Sequence, residues 1–85
     1  MKELNNLKAL LDTEYEWPGP YLFKFIVPAV QLLALKGLLS GHDLIEKPSK
    51  NGKYISITLT ITCESSQKVI DLYEKVSSIP GIMSL

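Results

Sequence analysis

Arginine is absent. All nine cations of the 85-residue chain are lysines, which removes the planar fork that grips phosphate or carboxylate in two parallel bonds and leaves only point charges for that task. Net charge is missing too, because nine Lys face nine Asp and Glu. Without a global field, the chain is not expected to be drawn to nucleic acid or to an acidic membrane. Cysteine occurs once, at Cys63, so an internal disulfide and an all-cysteine metal site are excluded, and a reducing cytoplasmic location is expected. Long apolar runs are also missing. The opening MKELNNLKALLDTE breaks its leucines with Asn, Lys and Asp every few positions, which suits neither a signal-peptide core nor a membrane span.

What remains is a chain that is 46% hydrophobic and 21% charged, long enough for one core and too short for two. Leu4, Leu7, Leu10 and Leu11 recur at helical spacing with Lys2, Asn5, Asn6 and Lys8 between them. That pattern predicts a short amphipathic helix, which at this length must lean on a neighbour. TEYEWPGP follows as a connector. Tyr21 to Val27, YLFKFIV, has one charge, Lys24, and is rich in aromatic and β-branched residues, which predicts a central strand. Pro28 is placed to open the leucine-rich helix Ala29 to Leu39. So few of that helix's positions are polar that cover on a second side is expected.

After Gly41, HDLIEKP reads as a short edge strand, where Pro48 is tolerated. Asn51-Gly52 then marks a hairpin turn. YISITLTITC, Tyr54 to Cys63, alternates without a fault. Ile55, Ile57, Leu59, Ile61 and Cys63 fall on one face, and Tyr54, Ser56, Thr58, Thr60 and Thr62 on the other. Ser65 or Ser66 caps a second helix with Val69, Leu72, Tyr73 and Val76 on its stripe. Pro80-Gly81 closes that helix, and Ile82 to Leu85 makes a last short strand. The order predicts an α+β fold of the ferredoxin-like split βαβ kind (βαββαβ): a four-stranded antiparallel sheet of order 4-1-3-2 with two helices on one face, plus an N-terminal helix. Residues 1–15 are read as that helix and its connector, and residues 16–85 as the ferredoxin-like domain.

KPSKNGKYISITLTI, the later VIDLYEKV, and the Glu16, Pro18 and Pro20 lead-in resemble the YbeD-like family of small bacterial proteins of unknown function. The resemblance rests on Lys47, Pro48, Ser49, Gly52 and Tyr54 and on the Leu72-Tyr73 pair, and covers roughly residues 16 to 85. It implies a fold similar to regulatory ACT domains, and it transfers no catalytic residue. The leucine-rich helix, with Gly37 inside it, departs most from the family pattern.

Because ferredoxin-like sheets host several functions, a site must be argued separately from the fold. RNA recognition on this plan needs aromatics on the exposed faces of the central strands. Here those positions hold Ser, Thr, Leu22, Lys24 and Ile26. Acylphosphatase-like chemistry would need an arginine clamp. Metal delivery would need C-x-x-C after the first strand, where Val27-Pro28-Ala29 stand. His42, Asp43 and Glu46 lie close in sequence, but a lone histidine after a helix is more often favoured by the helix dipole than used as a ligand. Cys63 reads as a small buried hydrophobe, and Trp17 and Tyr21 as a seal over one end of the core.

The expectation is therefore a non-catalytic regulatory or protein-interaction module, ACT-like, with no cofactor and no metal. Its interface would use the open sheet face at Leu22, Ile26, Ser56, Thr58 and Thr60, with a protein partner or a second copy forming a homodimer; nucleic acid and membrane are not expected partners. An alternative stays open: a small-molecule or anion site at the hairpin, using Lys47, Ser49, Lys50, Gly52 and Lys53 with backbone N–H groups. Set against it is the plain role of lysines in keeping an edge strand soluble. A small enzyme built on His42-Asp43 or the hairpin lysines ranks below both.

Overall fold

The computed structural model describes residues 2–85, with side chains from Asn6 onward. Leu4, the first leucine of the predicted stripe, has its side chain outside that range. The elements in chain order are helix α1 (Lys2–Glu14), strand β1 (Gly19–Pro28), helix α2 (Leu32–Leu38), strand β2 (Ile45–Pro48), strand β3 (Tyr54–Cys63), helix α3 (Ser66–Val76) and strand β4 (Met83–Ser84). The sheet runs β2-β3-β1-β4 with every pairing antiparallel. This is the expected order, and the fold is α+β with a ferredoxin-like arrangement plus an N-terminal helix.

The most apolar and the most regular strands sit in the middle, where both neighbours satisfy their backbones. Along β1, Phe23, Phe25 and Val27 are fully buried, as are Ile57 and Leu59 along β3. Period-two alternation turns all of these toward the helices. The core closes over them with Leu35 and Leu39 around α2, and with Val69, Ile70 and Val76 on α3. Of the stripe expected on α3, Val69 and Val76 are buried, while Leu72 and Tyr73 are half-buried. Ser65 is the N-cap residue, as expected, although its side chain makes no capping bond.

The leucine-rich helix is shorter than Ala29 to Leu39. Pro28 still pairs with Tyr54 as the last residue of β1, and the Ala29 N–H donates to the Lys53 carbonyl at 2.9 Å. The chain is therefore committed to the sheet until Ala29. It turns first through a 3₁₀ segment at Ala29–Gln31 and becomes α-helical only at Leu32. Among the described residues no second layer covers this segment: Val30 in the 3₁₀ turn is 87% exposed and Leu33 on α2 83%.

α1 joins the helical layer, beside α3. Leu11 is buried in the common core and Leu7 packs against it. The Lys8 ammonium bridges Asp12 (3.0 Å) and the buried Ser66 hydroxyl (3.3 Å). Bonding to Ser66, and then to Lys8, holds the Asp12 carboxyl below the usual carboxylate range. Because α1 lies on this side, it leaves the opposite face of the sheet uncovered.

β4 is short and is placed by its approach. Gly81 has φ +78°, and a Cβ there would stand 2.8 Å from Pro28 Cγ, so the chain can pass this close to the end of β1 only with glycine.

Candidate functional site

Residues directly opposite on paired strands share a face, so the register maps the open side of the sheet. Leu22 pairs with Thr60, Lys24 with Thr58, and Ile26 with Ser56. Ile45 and Lys47 of β2 flank Thr58 and Ser56, and Met83 flanks Ile26 from the other side. The five residues singled out for this face, Leu22, Ile26, Ser56, Thr58 and Thr60, thus lie on it together. Lys24, Ile45, Lys47 and Met83 join them.

The charges on this face are of one sign. Lys24 and Lys47 point out of it, and among the described residues no carboxylate lies within ion-pair distance of either. Glu46, between Ile45 and Lys47, alternates to the helical side, where it meets Lys36 at 2.9 Å. The other acids of the described side chains lie on α1, on α3 and in the connections. A chain of zero net charge therefore presents a sheet face whose charged groups, among the described residues, are all cationic.

A groove of about 430 Å³ crosses this face at its hairpin end. Ile26, Met83, Pro48 and Tyr54 supply apolar surface, and Lys47, Ser49 and Ser56 supply the polar groups. The two sequence candidates, hairpin and open face, thus meet at Lys47, Ser49, Ile26 and Ser56. Lys50, Gly52 and Lys53 lie in the turn outside the groove, and Leu22, Thr58 and Thr60 lie elsewhere on the face. Only the strand pairing reveals Met83, whereas Lys24 on the first strand and Tyr54 on the hydroxyl face already follow from alternation.

The turn uses most of its own donors. Gly52 N–H donates to the Ser49 carbonyl (3.0 Å), and Ser49 N–H to the Tyr54 carbonyl (2.8 Å). The Asn51 side-chain oxygen accepts from the Ser49 hydroxyl and from Lys53 N–H, both at 3.0 Å, while Tyr54 N–H donates to Ser49 Oγ at 3.2 Å. The Ser56 hydroxyl donates to the Lys47 carbonyl at 3.3 Å. What the hairpin offers an anion is ammonium charge, with few N–H groups left to cradle it.

The remaining candidates lie on the helical side. A cavity of about 260 Å³ is bordered by His42, Cys63, Glu64 and Lys68. Burial pushes the Cys63 thiol pKa up, and its S–H donates to the Ile61 carbonyl at 3.6 Å, so the sulfur is held as a thiol and not as the reactive thiolate. Among the described residues no three His, Cys, Asp or Glu side chains come together as a metal site, and no helix is long and apolar enough to cross a membrane. Trp17 stacks on Tyr15 at 5.8 Å. Tyr21 meets Phe23 edge-on at 4.9 Å, and its hydroxyl lies 3.3 Å from that of Tyr73. Burial, reinforced by this bond, raises the Tyr73 phenol above its ordinary pKa. These aromatics belong to the core and its margin.

Comparison with known proteins gives a family match over residues 12–85, described as "Protein of unknown function (DUF493)". A "UPF0250 protein" of Shewanella halifaxensis (strain HAW-EB4) is 30% identical over 84 residues, spanning 86% of this chain and 96% of that protein. A "UPF0250 protein" of Shewanella piezotolerans (strain WP3 / JCM 13877) is 27% identical over 84 residues with the same coverage. These matches are consistent with the YbeD-like resemblance. No solved structure matches the chain.

Proposed function

The chain belongs to the DUF493 family of proteins of unknown function, and from that premise we propose that it is a non-catalytic interaction module that binds an acidic, partly apolar surface of a partner protein through the open face of its sheet. The observation that carries this reading is the sorting of charge: among the described residues no carboxylate opposes Lys24 or Lys47, which stand among Leu22, Ile26, Ile45 and Met83. Apolar area of this kind on a small protein ordinarily meets a partner. Two charges of one sign favour a partner of the other and disfavour two such faces meeting each other. A regulatory, ACT-like use in the cytoplasm agrees with this reading; the first is drawn from the fold plan and the family resemblance, the second from the single cysteine.

The test is site-specific photocrosslinking in the native cell, with the crosslinker at Thr58 on the open face or at Asp71 on the exposed side of α3. Discrete adducts are expected from position 58 and not from 71. The double variant Lys24→Glu, Lys47→Glu should lower them by about tenfold or more. Equal labelling from both positions, or labelling indifferent to the charge reversal, would refute the reading.

Self-association is a second reading, favoured at a different surface by the exposure of Val30 in the 3₁₀ segment and of Leu33 on α2. If it holds, sedimentation equilibrium will show a dimer that Leu33→Lys converts to monomer. A wild-type protein that is monomeric at all concentrations removes it.

A further inference from the structure

The chemistry of the groove narrows what the open face would accept. On the reading of this face as a protein-binding surface, we propose that the groove seats an apolar side chain of leucine or isoleucine size from the partner, with a carboxylate beside it on the Lys47 ammonium.

The apolar part follows from the walls. Ile26 and Met83 form one side, and Pro48 with the Tyr54 ring the other. A volume of about 430 Å³ lies toward the small end of ligand pockets, which run from about 300 to 1,000 Å³. It holds a short stretch of chain, not a helix. The charge follows from Lys47: among the described residues it is the one ionised group lining the groove, and no carboxylate lies within ion-pair distance of it.

The choice of carboxylate over phosphate comes from the donors. A phosphate group carries two charges and several oxygens to satisfy, and it is normally met by arginine forks or by a nest of backbone N–H groups. The chain has no arginine. The N–H groups of Ser49, Gly52, Lys53 and Tyr54 are bonded inside the turn, and the Ser49 and Ser56 hydroxyl protons are committed to Asn51 and to the Lys47 carbonyl. To an occupant, these two hydroxyls therefore present lone pairs. One ammonium remains, with the half-exposed Tyr54 phenol as a second donor, and that pair suits a single carboxylate.

The test is an NMR titration of the full-length ¹⁵N-labelled protein with blocked tetrapeptides. Acetyl-Ser-Leu-Asp-Ser-amide carries both features, Ser-Leu-Asn-Ser lacks the charge, and Ser-Ala-Asp-Ser lacks the apolar group. The first should give saturable, millimolar shifts confined to the amides of Ile26, Lys47, Tyr54, Ser56 and Met83. The other two should bind at least about fivefold more weakly. Lys47→Met, an exposed change that keeps the stem of the side chain, should reduce the first peptide to the level of the asparagine form and leave distant amides unmoved. Inorganic phosphate should not compete.

The assignment is overturned by the absence of saturable shifts at these residues, by equal binding of the asparagine peptide, or by displacement with phosphate. Crosslinks from Thr58 that vanish on charge reversal, alongside a groove that ignores all three peptides, would leave the interaction module standing and remove only the groove. Specific shifts in the groove without any crosslinked partner would do the reverse.

Discussion

Phe23→Ala will cost about 3–5 kcal/mol of folding stability, a large share of the roughly 5–15 kcal/mol available to a small domain. Phe23 is 0% exposed on the central strand β1, and its ring centre lies 4.9 Å from Tyr21, 5.3 Å from Tyr73 and 6.1 Å from Phe25. Truncation removes the transfer energy of the ring and leaves a void between strand and helix that three neighbouring aromatics cannot all move to fill. Urea unfolding followed by circular dichroism checks this. The midpoint should fall steeply, and the variant should be partly unfolded at physiological temperature. An unchanged midpoint would mean that the ring does not occupy the core.

Leu11→Ala will cost about 2–5 kcal/mol, although Leu11 belongs to a helix that the family match includes only from residue 12. Leu11 is 1% exposed, whereas its neighbour Leu10 is 54% exposed. Leu10→Ala should accordingly stay within about 0.5 kcal/mol of wild type, and the pair of variants separates docking from helix propensity. Should both be silent, α1 is not held in the core. Should both be costly, the rotation of α1 differs from the one described.

Sequence reading located β3 to the residue, Tyr54–Cys63, because unbroken alternation bounded by a turn and a helix cap leaves no other register. It also recovered the order of the sheet. At Pro28 it held in part: Pro28 does cap a helical segment, but that segment is a 3₁₀ turn. The same fixed φ suits an extended residue equally well, and Pro28 also pairs with Tyr54 as the last residue of β1. It also missed Ile70 in the core, since an apolar residue beside a stripe is placed only once the neighbouring helix is known.

The site was legible in two halves. The hairpin lysines and the hydroxyl face each stood out from local pattern, but their meeting in one groove depends on Lys47 lying opposite Ser56, Ile26 opposite Ser56, and Met83 opposite Ile26. The first pair lies within one hairpin, but the other two join segments far apart in the chain. The single sign of the face was hidden for a similar reason: composition counts charges but does not say that Glu46 turns toward Lys36 while Lys47 turns away.

β4 pairs with its neighbour through only Met83 and Ser84, supported by one further bond from Leu85 N–H to the Lys24 carbonyl at 2.9 Å. So brief a ladder opens at little free-energy cost compared with the global fold. Met83 is nevertheless a wall of the groove, so the groove's shape fluctuates with the fraying of this strand. An occupant that touches Met83 binds only while the strand is closed, and by the same linkage it lowers the population in which the strand is open. On the proposed function, recognition at this face is thus tied to the shortest ladder of the sheet, on the side away from the buried aromatic layer.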